Sequence, residues 1–336
     1  MGLFFNKFQD TIFMKESTSL DDVYAALSKL VSEYPDNKKI NREFKNVKKG
    51  LDGEKEVAYQ LKKSNIGLYV LHDVNFEYDG MKAQVDYVVI SRACTYFIEC
   101  KKVYGNLTVN ENGDFILTKE YNGKLKRRGI KSPLRQVEAQ KDVFKKIWNN
   151  NLSNSKIINS IKRKLAGPYF DVYKRVLVVI ANPNTILNTR YAPNDVKDKV
   201  IKSDGLINKI KHDLENTSKS MRYSQKEMKE ECKLFMSINV SKDVDYYEYY
   251  KNKYVDNIVN IDDDMLKDKL IKFRKERSSK LNMPAYYVFT NEELEKIIEL
   301  KPKTLEDLKS ILTEIKIKTH GEQILEVLNS NSNQNL

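Results

Sequence analysis

Hydrophobic and polar positions change period several times along the chain, and each change predicts an element. In SLDDVYAALSKLVSEY, apolar residues recur at helical spacing after a Ser19 cap, and the run ends before Pro35. Residues 1–45 as a whole read as a polar, helical N-terminal extension, and a further helix is predicted over 51–63. The period then falls to two. YVLHDV, QVDYVVI and TYFIECKK read as strands, and NLTVN with GDFILT as a further hairpin punctuated by Gly113. Ser132-Pro133 opens a helix running to about Trp148, with proline at its first position. RVLVVIAN (175–182) is continuously apolar up to Pro183, as in a strand buried on both faces. Residues 186–256 are polar and mostly helical in pattern, ending in tyrosine-rich VDYYEYYKNKY. Acidic IDDDM (261–265) marks a boundary, short helices follow from 264, and the polar tail NSNSNQNL reads as disordered.

Composition narrows the chemistry. The 336 residues suit two domains, and 40% hydrophobic with 32% charged residues indicates a globular protein. No apolar run approaches the ~18 residues of a membrane span, and MGLFFNKF is too short for a secretory signal, so a cytoplasmic location is expected and no membrane partner. Cys94, Cys100 and Cys232 form no CxxC pair, and His72, His212 and His320 lie far apart, which disfavours zinc, redox and histidine-triad chemistry. No Walker loop or GxGxxG points to a nucleotide cofactor. Any chemistry therefore falls to carboxylates and lysines. The net charge of +12 favours polyanionic partners, and residues 119–146 hold ten Lys or Arg against three acids, a local +7. That segment is either a solvated face or a nucleic-acid footprint.

The hairpin QVDYVVISRACTYFIECKK places a carboxylate in each strand where Val or Ile is expected. With Ile90 and Thr95 flanking a four-residue turn, Asp86 falls opposite Glu99, and Lys101 opposite Gln84. The pleat then sets Gln84, Asp86 and Ile90 on one face with Phe97, Glu99 and Lys101. Like charges across a strand pair are destabilising, and burial worsens this unless a cation lies between them. Stray acids on a solvated face are the plain alternative. An all-oxygen site suits Mg²⁺ or Mn²⁺. Glu54 shares the inward helical stripe of Val57, Ala58 and Leu61, where an unpaired carboxylate is costly. Cys100 should face the other side as ordinary core, and His72 reads as structural.

Asp86, a dozen residues, then Glu99-x-Lys101 resembles the PD-(D/E)xK nuclease superfamily. GEKEVAYQLKKS, Gln84-x-Asp86, Glu99-x-Lys101, Gly105 and Pro133-x-x-Gln136 together resemble the NERD (nuclease-related) domain over about residues 50–215. The resemblance implies an α/β restriction-endonuclease-like core, a central mixed sheet flanked by helices, in a bacterial-type, metal-dependent nuclease, with DNA rather than RNA as the expected substrate. It assigns a catalytic set of Asp86, Glu99, Lys101, Glu54 and Gln136. Asp86, Glu99 and the Cys100 carbonyl would hold the metal. Lys101 would orient the nucleophile or neutralise developing charge, and Glu54 would support the site or hold a second ion. Gln136 would orient a water or phosphate, or simply border the helix. Lys126, Arg127, Arg128, Lys131 and Arg135 would then contact phosphates.

KLIKFRKERSSKLNMPAYYVFTNEELEKIIELKPKTLEDL resembles the HRDC domain found in RecQ-type helicases and ribonuclease D, an all-α helical bundle. Its usual glycine-containing hairpin is replaced here by LTEIKIKTHG. Lys272, Arg274, Lys275 and Arg277 make its first helix basic and suit nucleic-acid contact; Tyr286, Tyr287 and Phe289 would either stack on bases or pack in the core. The organisation expected is an extension (1–45), a nuclease domain (46–215), a tyrosine-rich connector (216–262), an HRDC module (263–330) and a tail (331–336). Helicase or other DNA-processing partners remain unidentified by sequence. A non-catalytic nucleic-acid binder retaining the fold is the alternative, but a pure binder gains nothing from opposed carboxylates.

Overall fold

The computed structural model describes residues 9–150, 159, 161, 165, 167, 169–240, 244–255 and 259–329, with backbone alone for 259–265. The expected tail (331–336) and the apolar start MGLFFNKF lie outside the described residues. The chain divides into two compact units, Met1–Tyr247 and Glu248–Leu336.

The N-terminal unit is built on ten strands: β1 (Thr11–Lys15), β2 (Leu68–Tyr78), β3 (Met81–Ile90), β4 (Thr95–Lys101), β5 (Asn106–Val109), β6 (Phe115–Tyr121), β7 (Lys124–Ile130), β8 (Lys174–Ile180), β9 (Leu187–Asn188) and β10 (Val200–Lys202). A six-stranded mixed sheet runs β1-β2-β3-β4-β8-β10, and a four-stranded sheet runs β7-β6-β5-β9. The unit's helices are α1 (Ser19–Glu33), α2 (Lys38–Lys62), α3 (Pro133–Asn150), the short α4 (Tyr169–Tyr173) and α5 (Asn194–Lys197), α6 (Leu206–Asn216) and α7 (Gln225–Ile238), and α8 (Tyr246–Tyr254) begins in this unit and continues into the second. Two differences from the sequence reading stand out. Residues 11–15 are not helical but form β1, parallel to β2, and basic Lys124–Ile130, for which the pattern predicted no element, forms strand β7. The α1 cap is Thr18, whose hydroxyl accepts from Leu20 N, and not Ser19.

Mixed sheets flanked by helices follow from the apolar patterning. One face of the large sheet packs Leu71, Val88, Phe97 and Val178 against Val137 and Phe144 of α3 and Phe235 of α7. The other packs Val70, Val89, Ile98 and Val179 against Val57 and Leu61 of α2 and Ile210 of α6. Each fully buried side chain of this kind contributes about 1.5–3 kcal/mol of transfer free energy. β8 feeds both cores, as its continuous apolar run predicts. Gly53 allows α2 its close approach, since an added Cβ there would lie 3.0 Å from Lys102 Cβ. Deep in the first core, Lys174 Nζ pairs with Glu231 Oε1 at 2.6 Å, both side chains without solvent exposure.

Alternation fails at one place on both β2 and β3. Leu71 and Val74 lie in the same core, as do Val85 and Val88, so each strand spends one extra residue at Asp73 and Asp86. Asp73 takes a left-handed backbone, φ 52°. The pairing keeps one register on either side, His72↔Tyr87 and Val74↔Val85, so side chains are re-aimed at Asp73 and Asp86 without a shift between the strands. Gln84 is therefore not on the face of Ile90, contrary to the regular pleat.

The C-terminal unit is all-α: α9 (Val259–Leu281), α10 (Asn291–Leu300) and α11 (Glu314–Asn329), with 3₁₀ turns at Ala285–Tyr287 and Asp307–Ser310. Leu270, Phe289, Ile297, Leu308 and Ile324 form its core. Thr290 and Glu293 cap α10 reciprocally, as the spacing predicts. Thr304 and Asp307 exchange the same kind of bonds before the second 3₁₀ turn. Among the described residues, no helix is long and apolar enough to cross a membrane.

Candidate active site

A cleft of about 760 Å³ opens where β3, β4, α2 and α3 meet. Its lining includes all five expected catalytic side chains, Glu54, Asp86, Glu99, Lys101 and Gln136, together with Cys100. Lys49, Lys82 and Lys102 add cations to the walls.

The β3–β4 register is the expected one from Ile90↔Thr95 to Tyr87↔Ile98, but the ladder stops there. One step beyond, Asp86 Oδ2 accepts from the Cys100 amide at 2.7 Å. Lys101 is not opposite Gln84; its ammonium bonds Glu99 directly. Gln84 instead donates to Asp73 Oδ1 at 2.8 Å. Cys100 packs its side chain on the α2 side, as expected of core.

Electrostatically the floor is overloaded with negative charge. Burial, then the charges of Glu99 and Glu54, push the Asp86 carboxyl well above its ordinary value. Glu99, 1% exposed, is also raised by burial, against the opposing charge of Lys101 and hydrogen bonds from Gln140 and Gln136. Burial works against the Lys101 ammonium, yet Glu99 outweighs it and holds Lys101 above its usual value. Two neighbouring carboxylates of raised pKa, Glu99 buried and Asp86 half-buried, with one ammonium on Glu99, are suited to a hard cation. The Gln140 amide oxygen, buried beside Glu99 without a hydrogen-bond partner, is a further oxygen donor. Among the described residues no cluster of three or more His, Cys, Asp or Glu side chains forms a complete ligand set. A cation here would draw on carbonyl, amide and water oxygens beside Asp86 and Glu99.

Glu54 is buried and points inward, as its helical stripe predicts, with Oε2 2.6 Å from His72 Nε2 and 3.4 Å from the Thr18 hydroxyl. Sequence reasoning overlooked this contact of His72, along with Asp73, Lys15 and Gln140. Gln140 left a signal, a polar residue within the apolar stripe of α3. The others left none, because a left-handed residue at Asp73 and a parallel N-terminal strand bring them together.

The basic residues separate into groups. Lys126, Arg127 and Arg128 are exposed on edge strand β7. Lys131 and Arg135 line a second cavity of about 670 Å³, which shares Gln136 with the cleft. In the C-terminal unit, Lys272 and Lys275 are exposed. Arg274 is committed to Phe289 O and Asn291 Oδ1 at 3.2 and 2.9 Å, and Arg277 bonds His320 Nδ1 and Thr319 O. These two brace the bundle. Tyr286 and Tyr287, 58% and 52% exposed, stack on each other at 4.9 Å, whereas Phe289 is core.

The chain thus joins mixed sheets, with a carboxylate–lysine cluster in a basic-walled cleft, to a helical module. A family model described as the nuclease-related domain (NERD) matches residues 49–166, and one for the HRDC domain matches residues 263–328. The chain carries these two domains in that order. No curated protein and no solved structure matches it.

Proposed function

We propose that the chain is a metal-dependent nuclease of the PD-(D/E)xK type, hydrolysing phosphodiester bonds in DNA in preference to RNA, with the HRDC module as an auxiliary nucleic-acid binder. The carrying observation is the convergence of Asp86, Glu99 and Lys101 on the floor of one cleft. The choice of DNA rests on the sequence resemblance.

Asp86, Glu99 and the Cys100 carbonyl would hold Mg²⁺ or Mn²⁺, with the Gln140 oxygen beside them. When bound, such an ion polarises a phosphate and lowers the pKa of its water. The chain's own residues do the rest. The Cys100 amide fixes the Asp86 carboxyl by its Oδ2. Lys101, a compact charge with its side chain 39% exposed, stands where negative charge develops on the phosphate. Gln136, at the junction of cleft and second cavity, orients the phosphate between them. Lys131, Arg135 and the β7 cations carry the flanking backbone without reading sequence. Exposed Tyr286 and Tyr287 suit stacking on unpaired bases.

Incubation with labelled single-stranded DNA, duplex DNA and RNA, each with Mg²⁺, Mn²⁺ or EDTA, tests the reading. Cleavage should require the divalent ion and favour DNA. Binding without cleavage under every metal would assign the chain to the non-catalytic class.

A further inference from the structure

The segment Lys15–Leu20 precedes the matched residues 49–166, yet it reaches the site at several points. Lys15 Nζ donates to the carbonyls of His72 and Asp73, both at 2.7 Å. Ser19 N donates to Asp73 Oδ2 at 2.7 Å, and Leu20 lines the cleft. Glu16 presents its backbone carbonyl to His72 Nδ1 at 3.0 Å.

That last contact settles the ring. A carbonyl oxygen only accepts, so Nδ1 must carry a hydrogen. Nε2 then faces the Glu54 carboxyl at 2.6 Å, where two bare lone pairs would repel. Nε2 and the Glu54 carboxyl are therefore joined by a hydrogen bond. The ring is also clamped from the side. It stacks on Tyr87 at 4.3 Å and 4°, and the Tyr87 hydroxyl donates to the Glu54 backbone carbonyl at 2.9 Å.

We propose that His72, its tautomer set by the Glu16 carbonyl, is a positioning residue that aims Glu54 toward Asp86 and Glu99. The N-terminal segment is thereby a working part of the site rather than an appendage. The consequence for catalysis rests on the nuclease reading above; the hydrogen-bond assignment stands without it. A purely structural His–Glu brace between β2 and α2 would affect melting but not turnover.

Two variants of the full chain separate these roles. His72→Asn keeps a donor near the Glu16 carbonyl but loses the reach to Glu54, whereas His72→Gln restores an amide donor where Nε2 stood. His72→Asn should lower kcat by about 10–100-fold, the usual effect of losing a partner that orients a site carboxylate, with KM and nucleic-acid affinity nearly unchanged. His72→Gln should recover most of that loss. Unchanged kcat in folded His72→Asn, or no recovery in folded His72→Gln, overturns the proposal. Nitrogen-15 spectra of histidine-labelled wild type provide a readout independent of activity, with the signal assigned by its loss in His72→Asn. A protonated Nδ1, and an Nε2 signal that Glu54→Gln shifts, support the proposal even if no substrate is cleaved. A bare Nδ1, or indifference to Glu54→Gln, refutes it.

Discussion

The backbone amide of Cys100 donates to Asp86 Oδ2 across 2.7 Å, at the step where the β3–β4 ladder has just ended. A side-chain oxygen has taken a backbone donor near the end of a strand. The two carboxylates are consequently unequal: Glu99 has an ammonium in contact, whereas Asp86 has only this amide and suffers the charges around it.

This asymmetry separates two substitutions. Glu99→Gln and Asp86→Asn should each abolish metal-dependent cleavage while sparing nucleic-acid binding. Only Asp86→Asn should stabilise the metal-free protein, since Asn still accepts from the Cys100 amide and no ammonium loses a partner. A gain of about 1 kcal/mol would raise Tm by roughly 2–4 °C for a unit of this size. Thermal melts in EDTA check this, and a lower Tm for Asp86→Asn would contradict it.

The same groups set a pH dependence. Burial holds the Asp86 and Glu99 carboxyls above their ordinary values, so the folded protein retains protons that the unfolded chain has released. Their contribution is fully present below the ordinary carboxylate pKa of ~4 and is lost as pH rises from there through the raised folded values. Asp73, Asp171 and Asp213 are lowered and act in the opposite sense. The difference in Tm between Asp86→Asn and wild type should therefore widen between about pH 5 and pH 8 in EDTA, and narrow there with Mg²⁺. A difference independent of pH would count against the buried carboxyl.

Neutralising the cations of β7 and of the loop that follows it should weaken binding on every sequence alike. For Arg127, Arg128 and Lys131 all replaced by Gln, the log–log salt slope on duplex DNA should fall by about 2.7, or ~0.9 per lost phosphate contact. Fluorescence titrations over a salt series measure it. An unchanged slope would return these residues to a merely solvated edge.

The buried Lys174–Glu231 pair predicts a strongly non-additive cycle. Burial depresses the Lys174 pKa against the opposing charge of Glu231, whose Oε2 has no hydrogen-bond partner. Lys174→Met alone should cost about 3–5 kcal/mol by stranding a buried charge, and adding Glu231→Leu should restore most of it. Urea denaturation of the singles and the double tests this. Equal losses in all three would show that the pair does not act as a unit.

Division of the chain after Tyr247 predicts that a 1–247 fragment melts cooperatively and cleaves, with weaker binding than the full chain. Loss of its cooperative transition would make the two units interdependent in folding.

Much of the site could be read from residues close in the chain. The turn between Ile90 and Thr95 dictates the hairpin register through Tyr87 and Ile98, because antiparallel pairing over so short a loop has little freedom. The inward stripe of α2 places Glu54, and the apolar stripe of α3 places Gln136 and Gln140 at its border. The capping pairs of the C-terminal unit are legible for the same reason: their partners lie three residues apart. What only tertiary structure decided depends on contacts between distant segments. Period two cannot announce an extra residue at Asp73 and Asp86, so Gln84 turned away from its expected face. Tyr286 and Tyr287 share the apolar pattern of Phe289, and only packing left them exposed. The Glu16 carbonyl meets His72 across 56 positions because β1 lies parallel to β2, and a parallel pairing has no local turn to reveal it.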